Sequence, residues 1–344
     1  MKPSQTATIF LGIIVAVILV MVLGELRAIF IPLFFAILLS FLFGPWVRRL
    51  VERKVPLWIV LTLLMVVIFL IIQLVGTLIY TSAASFVGEF PKYQERLTAM
   101  FQDTLKALNL RQQDVQGYLD RFDWGKAISQ FSVATVMSKT LGTFMSFILN
   151  IILVLMFMLF ILAGWTRLHR RIERAFEPER ARRIAKVIDS VERRVQTYLL
   201  TKTILSLGTA VVGMGVLLLF GVDFVIICGL LLFLLSYIPN IGSVIASLFP
   251  ILLCFLEFGL TWKILFLTAS IIALQMFFGN VLEPMMMGKG LDLSPVVVML
   301  SLIFWGWVWG IMGMILAVPL TATVKIIFEE IESLRPIAIL MSQE

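Results

Sequence analysis

Charged residues divide the chain into long apolar blocks. Between Lys2 and Glu25 lie 22 uncharged residues, and between Arg27 and Arg48 another 20. The gap from Lys54 to Glu89 is 34 residues, that from Lys139 to Arg167 is 27, and that from Lys202 to Asp223 is 20. Asp223 to Glu257 encloses 33, Lys263 to Glu283 encloses 19, and Asp292 to Lys325 encloses 32. A helix that crosses a bilayer needs about 20 apolar residues. Gaps of 19 to 27 residues therefore predict single spans. The gap before Glu89 turns weakly polar at Thr77, Thr81, Ser82 and Ser85, and predicts one helix that projects beyond the bilayer. The first block is long and lacks an Ala-x-Ala cleavage site, so it is expected to span as well.

The two late long gaps need a different reading. An unbroken helix of 33 residues would reach about 50 Å, too long for one upright crossing and short for two. Both gaps are interrupted in the middle. The first contains Ser236-Tyr237-Ile238-Pro239-Asn240-Ile241-Gly242, and Pro239 stops the helix before it. The second contains Gly306-Trp307-Val308-Trp309-Gly310, then Gly313 and Pro319. Broken backbone at membrane depth is tolerated only against protein or a wet cavity. The expected fold is an all-α polytopic membrane protein with about six full spans and two broken helical hairpins, eight membrane segments in total. Two pairs of short ordinary spans are the alternative. Gly310, Gly313 and Pro319 are the expected hinges of the second hairpin.

The second arms of the hairpins look alike. Gly242-Ser-Val-Ile-Ala-Ser-Leu-Phe-Pro250 stands beside Gly313-Met-Ile-Leu-Ala-Val-Pro319. With the preceding spans this predicts an internal repeat of opposite topology in the C-terminal half, a pattern found in secondary transporters. The expected organisation is N-terminal membrane helices (1–88), an external helical insert (89–139), a membrane helix (140–166), a basic cytoplasmic insert (167–202), a transport core with both hairpins (203–328) and a cytoplasmic tail (329–344).

Lys and Arg set the expected orientation. The segment from Arg48 to Lys54 has four basic residues and one acid, and that from Arg167 to Lys202 has eleven against five. Seven are balanced by six acids from Glu89 to Lys139. The first two segments are expected inside and the third outside, with both termini cytoplasmic. In the external insert, Tyr93, Leu97, Met100, Phe101, Thr104, Leu105 and Leu108 share a helical face, with Asn109 as a stop and a second weak pattern from Asp114 to Phe122. In the internal insert, Pro178 marks a helix start, and Ile184, Val187, Ile188, Val191, Val195 and Tyr198 form a stripe among Arg182, Arg183, Lys186, Arg193 and Arg194. That helix is expected to follow the interface and run into the span from Thr203. It could bind anionic lipid, or serve only as the positive-inside signal.

Composition sharpens the class. With 60% hydrophobic and 14% charged residues, the chain departs from soluble domains, which carry about 45–50% and about 25%. A soluble enzyme and a nucleic-acid partner are excluded on that ground. The two cysteines, Cys228 and Cys254, form neither a disulfide framework nor a CxxC metal pair. The single histidine, His169, rules out HExxH and a Ser-His dyad, and no Walker A loop is present. Neither a metal nor a cofactor is expected.

Polar residues at membrane depth are costly and are candidate sites by default. Pro239, Asn240, Gly242 and Ser243 mark the first break, and Gln275, Asn280 and Glu283 line the later span. Each has a plainer role open to it. Asn240 could cap the next helix, Gln275 could join helices, and Glu283 could pair with Lys289. The tryptophans near Gly310 read first as interfacial anchors.

Several stretches carry a family resemblance. Tyr237-Ile-Pro-Asn-Ile-Gly-Ser243, Phe278-Gly-Asn-Val-Leu-Glu-Pro284 and Met287-Gly-Lys-Gly290 resemble signature segments of the autoinducer-2 exporter (AI-2E) family. Ser301-Leu-Ile-Phe-Trp-Gly-Trp307, Ala317-Val-Pro-Leu-Thr321, Asp189-Ser190, Tyr198 and Lys202 strengthen the likeness, which covers nearly the whole chain. The resemblance implies a bacterial inner-membrane secondary transporter that exports autoinducer-2, a small furanone-type signal. It also implies a homo-oligomer, a pentamer being the expected number. Some family members are associated with Na⁺ or Li⁺ exchange for H⁺, so a cation is the alternative cargo. A non-transporting membrane scaffold is the remaining alternative.

Overall fold

The computed structural model describes residues 5–107, 133–287 and 291–343, and they form helices joined by short connections. Eleven α-helices and one π-helical segment are found among the described residues: α1 (Gln5–Glu25), α2 (Arg27–Glu52), α3 (Leu57–Ala107), α4 (Val133–Ala175), α5 (Pro178–Phe220), α6 (Val225–Leu235), α7 (Ile241–Phe258), α8 (Trp262–Met276), the π segment (Phe277–Leu282), α9 (Glu283–Met287), α10 (Pro295–Glu330) and α11 (Arg335–Leu340). Seven helices in this set are long and apolar enough to cross a membrane, and Phe10–Glu25 and Val225–Leu235 are shorter apolar helices. The all-α polytopic reading is therefore correct.

Helix α3 is one element of 51 residues, about 75 Å long, against a hydrocarbon core of about 30 Å. The backbone from Tyr93 to Ala107 continues the same helix. Leu108, Asn109 and the pattern from Asp114 to Phe122 lie outside the described residues. Helix α5 starts at Pro178 as expected and continues without interruption to Phe220.

The chain forms two compact units. The first comprises Met1–Met65, Leu149–Thr201 and Met287–Glu344. Here the stripe of α5 is used for packing: Val187, Val191 and Val195 meet Ile37 and Phe41 of α2 and Ile326 of α10. Arg48 and Glu192 join the same helices through a 2.6 Å ion pair. Helix α10 breaks at Gly310, whose φ of 64° and ψ of −144° suit glycine alone. The break folds α10 into two arms, and Trp305 on one arm donates to Thr321 Oγ1 on the other at 3.3 Å. Trp309 is buried, not an interfacial anchor: its indole N–H donates to the Leu23 carbonyl of α1 at 2.9 Å, and its ring meets Phe34. Trp307 alone of the two tip tryptophans is strongly exposed. At the base of this hairpin Lys325, fully buried, pairs with Asp292 Oδ2 at 2.7 Å and also donates to the Asp292 carbonyl. The hydrogen bond from Lys325 holds the Asp292 carboxyl below its ordinary range. Pro319 lies inside the second arm, buried, with its carbonyl accepting from Thr323.

The second unit comprises Val66–Ile148 and Lys202–Met286. Its hairpin is α6 and α7. Helix α6 has 11 residues, about 16 Å, too short to cross a hydrocarbon core. The base is again closed by side chains. The Asp223 backbone N–H donates to Glu257 Oε1 at 2.9 Å, and the Tyr93 hydroxyl reaches Asp223 Oδ2 at 3.1 Å and Glu257 Oε1 at 3.2 Å. Lys92 pairs with Asp223 at 3.2 Å, and Arg96 donates to the Glu257 carbonyl. Burial, then the charges of Glu257 and Asp223, raise the Tyr93 phenol above its ordinary range, so it remains a donor. A core of Leu217, Cys228, Leu253, Cys254, Leu267 and Ile271 fills the space above this clasp.

The two hairpins repeat one local geometry. A Cβ on Gly242 would strike the Leu235 carbonyl and come within 3.1 Å of Ile238 Cβ. Added to Gly313, it would strike the Trp305 carbonyl and come within 3.0 Å of Trp309 Cβ. Four residues on from each glycine, Ala246 and Ala317 are fully buried. The shared glycine is thus the residue on which the arms of each hairpin touch.

Two outcomes follow. Gly242→Ala and Gly313→Ala should each lower the thermal midpoint of the detergent-purified protein by several degrees, a cost of about 1–3 kcal/mol, while Gly215→Ala, with open space around it, should not. Asp292→Asn should destabilise at neutral pH. Because the folded pKa of Asp292 is depressed, its contribution is present above the unfolded value of about 3.9 and fades as pH falls through the lower folded value. The gap between wild type and Asp292→Asn should therefore narrow on acidification, as read by denaturation at a series of pH values.

Candidate functional site

Polar residues of the second unit surround a cavity of about 400 Å³. Helix α5 contributes Lys202, Ser206 and Thr209, spaced by four and three and so on one face. The turn between α6 and α7 contributes Ser236, Ile238, Pro239 and Asn240, and Ser243 follows from the first turn of α7. Gln275, Gly279, Asn280 and Glu283 come from α8, the π segment and the start of α9.

The π segment explains how that last group can face one cavity. At about 100° per residue an α-helix would swing Asn280 roughly 140° away from Gln275. Bonding from i to i+5 lowers the rotation per residue and returns Asn280 to the side of Gln275. The turn is also pressed against α5: a Cβ on Gly208 would lie 2.6 Å from the Phe278 ring.

Charge in the cavity is arranged as a pair. Lys202 Nζ donates to Glu283 Oε1 at 2.7 Å and to Oε2 at 2.8 Å. The lysine side chain is 6% exposed and the glutamate 27%. Lys202 is therefore the partner that the carboxylate uses; Lys289 lies outside the described residues. Two polar atoms are left over. The Ser206 hydroxyl and the Gln275 side-chain nitrogen are buried and have no hydrogen-bond partner among the described residues. An unmatched buried polar atom costs about 1–3 kcal/mol, so these two cavity-lining groups retain unused hydrogen-bonding capacity. The neighbouring hydroxyls are already engaged: Thr209 donates to the Leu205 carbonyl at 2.9 Å, Ser243 to that of Asn240 at 2.8 Å, and Ser236 to that of Leu232. Thr203 and Tyr237 share a hydrogen bond of 2.8 Å between α5 and the turn.

Six sequence-selected residues line this cavity: Pro239, Asn240, Ser243, Gln275, Asn280 and Glu283. Gly242 does not; it is the contact point between the hairpin arms. Asn240 precedes α7 with φ 60°, yet its side chain makes no capping bond to that helix, so the capping role does not account for it. Gly310, Gly313 and Pro319 belong to the other unit. Sequence reasoning passed over Ser206 and Thr209, and took Lys202 only as part of a resemblance. The i, i+4, i+7 spacing of Lys202, Ser206 and Thr209 in an otherwise apolar block was the available signal.

Known proteins place the chain. The model of the AI-2E family transporters matches residues 10–333. The chain belongs to the AI-2E transporter family. It is 32% identical over 346 residues to the AI-2 transport protein TqsA of Escherichia coli K12, covering 99% of this chain and 98% of that protein. A putative transport protein of Haemophilus influenzae is 33% identical, covering 92% of this chain and 91% of its own. The putative transport protein YhhT of Escherichia coli K12 is 34% identical over 314 residues, covering 90% and 86%. These AI-2E relatives carry names of transport proteins and not of enzymes. The chain is thus a multi-pass membrane protein of a bacterial transporter family.

Within this AI-2E chain the ion pair is open to a direct test. Lys202→Met leaves a partly buried carboxylate unpaired and should cost about 2–4 kcal/mol, as should Glu283→Gln, whereas the double variant should recover part of the loss. A double-mutant cycle read by chemical denaturation in detergent checks it; strictly additive losses would show that the two groups do not interact.

Proposed function

We propose that this transporter moves a small, neutral, acceptor-rich solute such as autoinducer-2 across the bacterial inner membrane, outward, by alternating access. The observation that carries this reading is the pair of buried, unmatched groups, the Gln275 amide nitrogen and the Ser206 hydroxyl, in a cavity under a hairpin turn. Both can donate hydrogen bonds, and a polyhydroxylated or keto solute supplies acceptors. A bare cation needs several oxygen ligands instead. Glu283, the carboxylate lining the cavity, has both oxygens committed to Lys202. The name of the TqsA relative agrees with the solute reading.

In this mechanism solute displaces water from Gln275 and Ser206. The turn from Ser236 to Asn240, whose Tyr237 bonds Thr203, shifts to open the cavity to the other side. Release of the Lys202–Glu283 pair in one state would couple the movement to an ion gradient; otherwise the solute gradient drives it. The eleven basic residues between Arg167 and Lys202 favour a cytoplasmic location for that segment and for both termini.

The test is flux in proteoliposomes, with autoinducer-2 and Na⁺ as rival cargoes. Wild type should move autoinducer-2. Gln275→Ala and Asn240→Ala should reduce the rate by about tenfold or more, the size expected for loss of one hydrogen bond to a desolvated solute. Flux of Na⁺ or Li⁺ that depends on pH and disappears in Glu283→Gln, with no solute flux, would establish cation exchange in its place. Absence of any flux from folded protein would refute transport through this cavity.

A further inference from the structure

The exposed face of α4 combines an apolar stripe with a pair of uncommitted guanidiniums. Ile152, Met156 and Phe160 are 54%, 42% and 63% exposed along the apolar part of this helix. Such side chains on a membrane helix face hydrocarbon. The stripe continues into a groove of about 250 Å³ lined by Phe160, Ala163, Gly164, Arg167 and Arg171. Nothing lies within 4 Å of where a Cβ on Gly164 would stand, so the absent side chain leaves the groove open. Arg167 and Arg171 are one turn apart, both exposed. Ion pairs of this unit use Arg48, Arg183, Arg194 and Lys325, and neither groove arginine has a partner among the described residues.

Depth decides what can fill the groove. Arg167 is the first charged residue after the 27 uncharged ones that follow Lys139, and Arg171 comes one turn, about 6 Å, later, so both stand where the apolar block ends. The headgroup layer occupies about 5–8 Å on each side of the hydrocarbon. Two forked guanidiniums at that depth match a phosphate, and the stripe beneath them matches an acyl chain. The sequence favoured the basic helix α5 for lipid, but the apolar face of α5 is spent on α2 and α10. On α4 the stripe and both arginines stay exposed among the described residues.

We propose that α4 binds an anionic glycerophospholipid, its phosphate held by Arg167 and Arg171 and one acyl chain lying over Gly164 and along Phe160, Met156 and Ile152. The site is independent of the transport cavity. Binding of phosphatidylglycerol to detergent-purified protein, measured by native mass spectrometry and by titration, tests it. Phosphatidylcholine with the same chains and glycerol phosphate serve as the other probes. Phosphatidylglycerol should bind about tenfold more tightly than phosphatidylcholine, and glycerol phosphate should not compete. R167Q/R171Q should remove the preference for the anionic headgroup. Gly164→Leu, which keeps both charges, should weaken both lipids by filling the groove. Since both arginines are exposed and Gly164 has open space around it, each variant should keep the thermal midpoint of the lipid-free protein. Equal binding of the two lipids, full competition by glycerol phosphate, or phosphatidylglycerol binding unchanged in both variants overturns the proposal. So does a second copy of the chain found on this face, as disulfide capture through Phe160→Cys would show.

Discussion

A backbone that leaves the helical path between apolar helices must still satisfy its N–H and C=O groups, and each of the two units contains one such place. In the turn between α6 and α7 the Tyr237 N–H reaches the Leu234 carbonyl at 3.4 Å, Ile238 reaches Leu235 at 2.9 Å, and Gly242 reaches Ile238 at 3.0 Å. Pro239 has no N–H to satisfy. These bonds require the returning arm to pass hard against the incoming one, which is why Gly242 touches the Leu235 carbonyl. Gly313 passes similarly close to the Trp305 carbonyl in α10. Small residues at these crossings are thus consequences of backbone hydrogen bonding, not of side-chain packing alone.

Once the turns are fixed, the remaining polar groups fall into two kinds. At the hairpin bases they are fully committed: Asp223, Glu257 and Tyr93 close one, and Asp292 and Lys325 the other. Beside the first turn they are only partly committed, with Lys202 and Glu283 paired and Ser206 and Gln275 unmatched. Satisfied polar clusters hold a structure rigid, and a partly satisfied one has room for a guest. The contrast between base and tip is the reason the proposed solute site is put in the cavity and not at the clasps.

Much of this was legible in one sequence because charge is so sparse. The spacing of Lys, Arg, Asp and Glu gave the spans, and the two overlong gaps gave the hairpins. Local grammar marked Pro239, Asn240 and Gly310 as breaks. What stayed hidden depended on distant or subtle causes. Lys202 and Glu283 are 81 positions apart, and Tyr93 stands 130 and 164 positions from its carboxylate partners. Trp309 looked interfacial because its acceptor is a backbone carbonyl 286 positions away. The π segment Phe277–Leu282 carries no breaker apart from Gly279, and only the close approach of Phe278 to Gly208 distinguishes it from an ordinary helix.

The clasp at Asp223, Glu257 and Tyr93 also has a mechanical meaning. A hairpin pinned at its base has the form of a cantilever. Helix α7, with 18 residues, is a lever arm of about 27 Å. A tilt of about 10° at the base would carry the turn through roughly 5 Å, enough to admit or expel a molecule a few atoms across. Under the proposed mechanism, such an arm would convert a slight repacking around Tyr93 into a stroke beside Gln275.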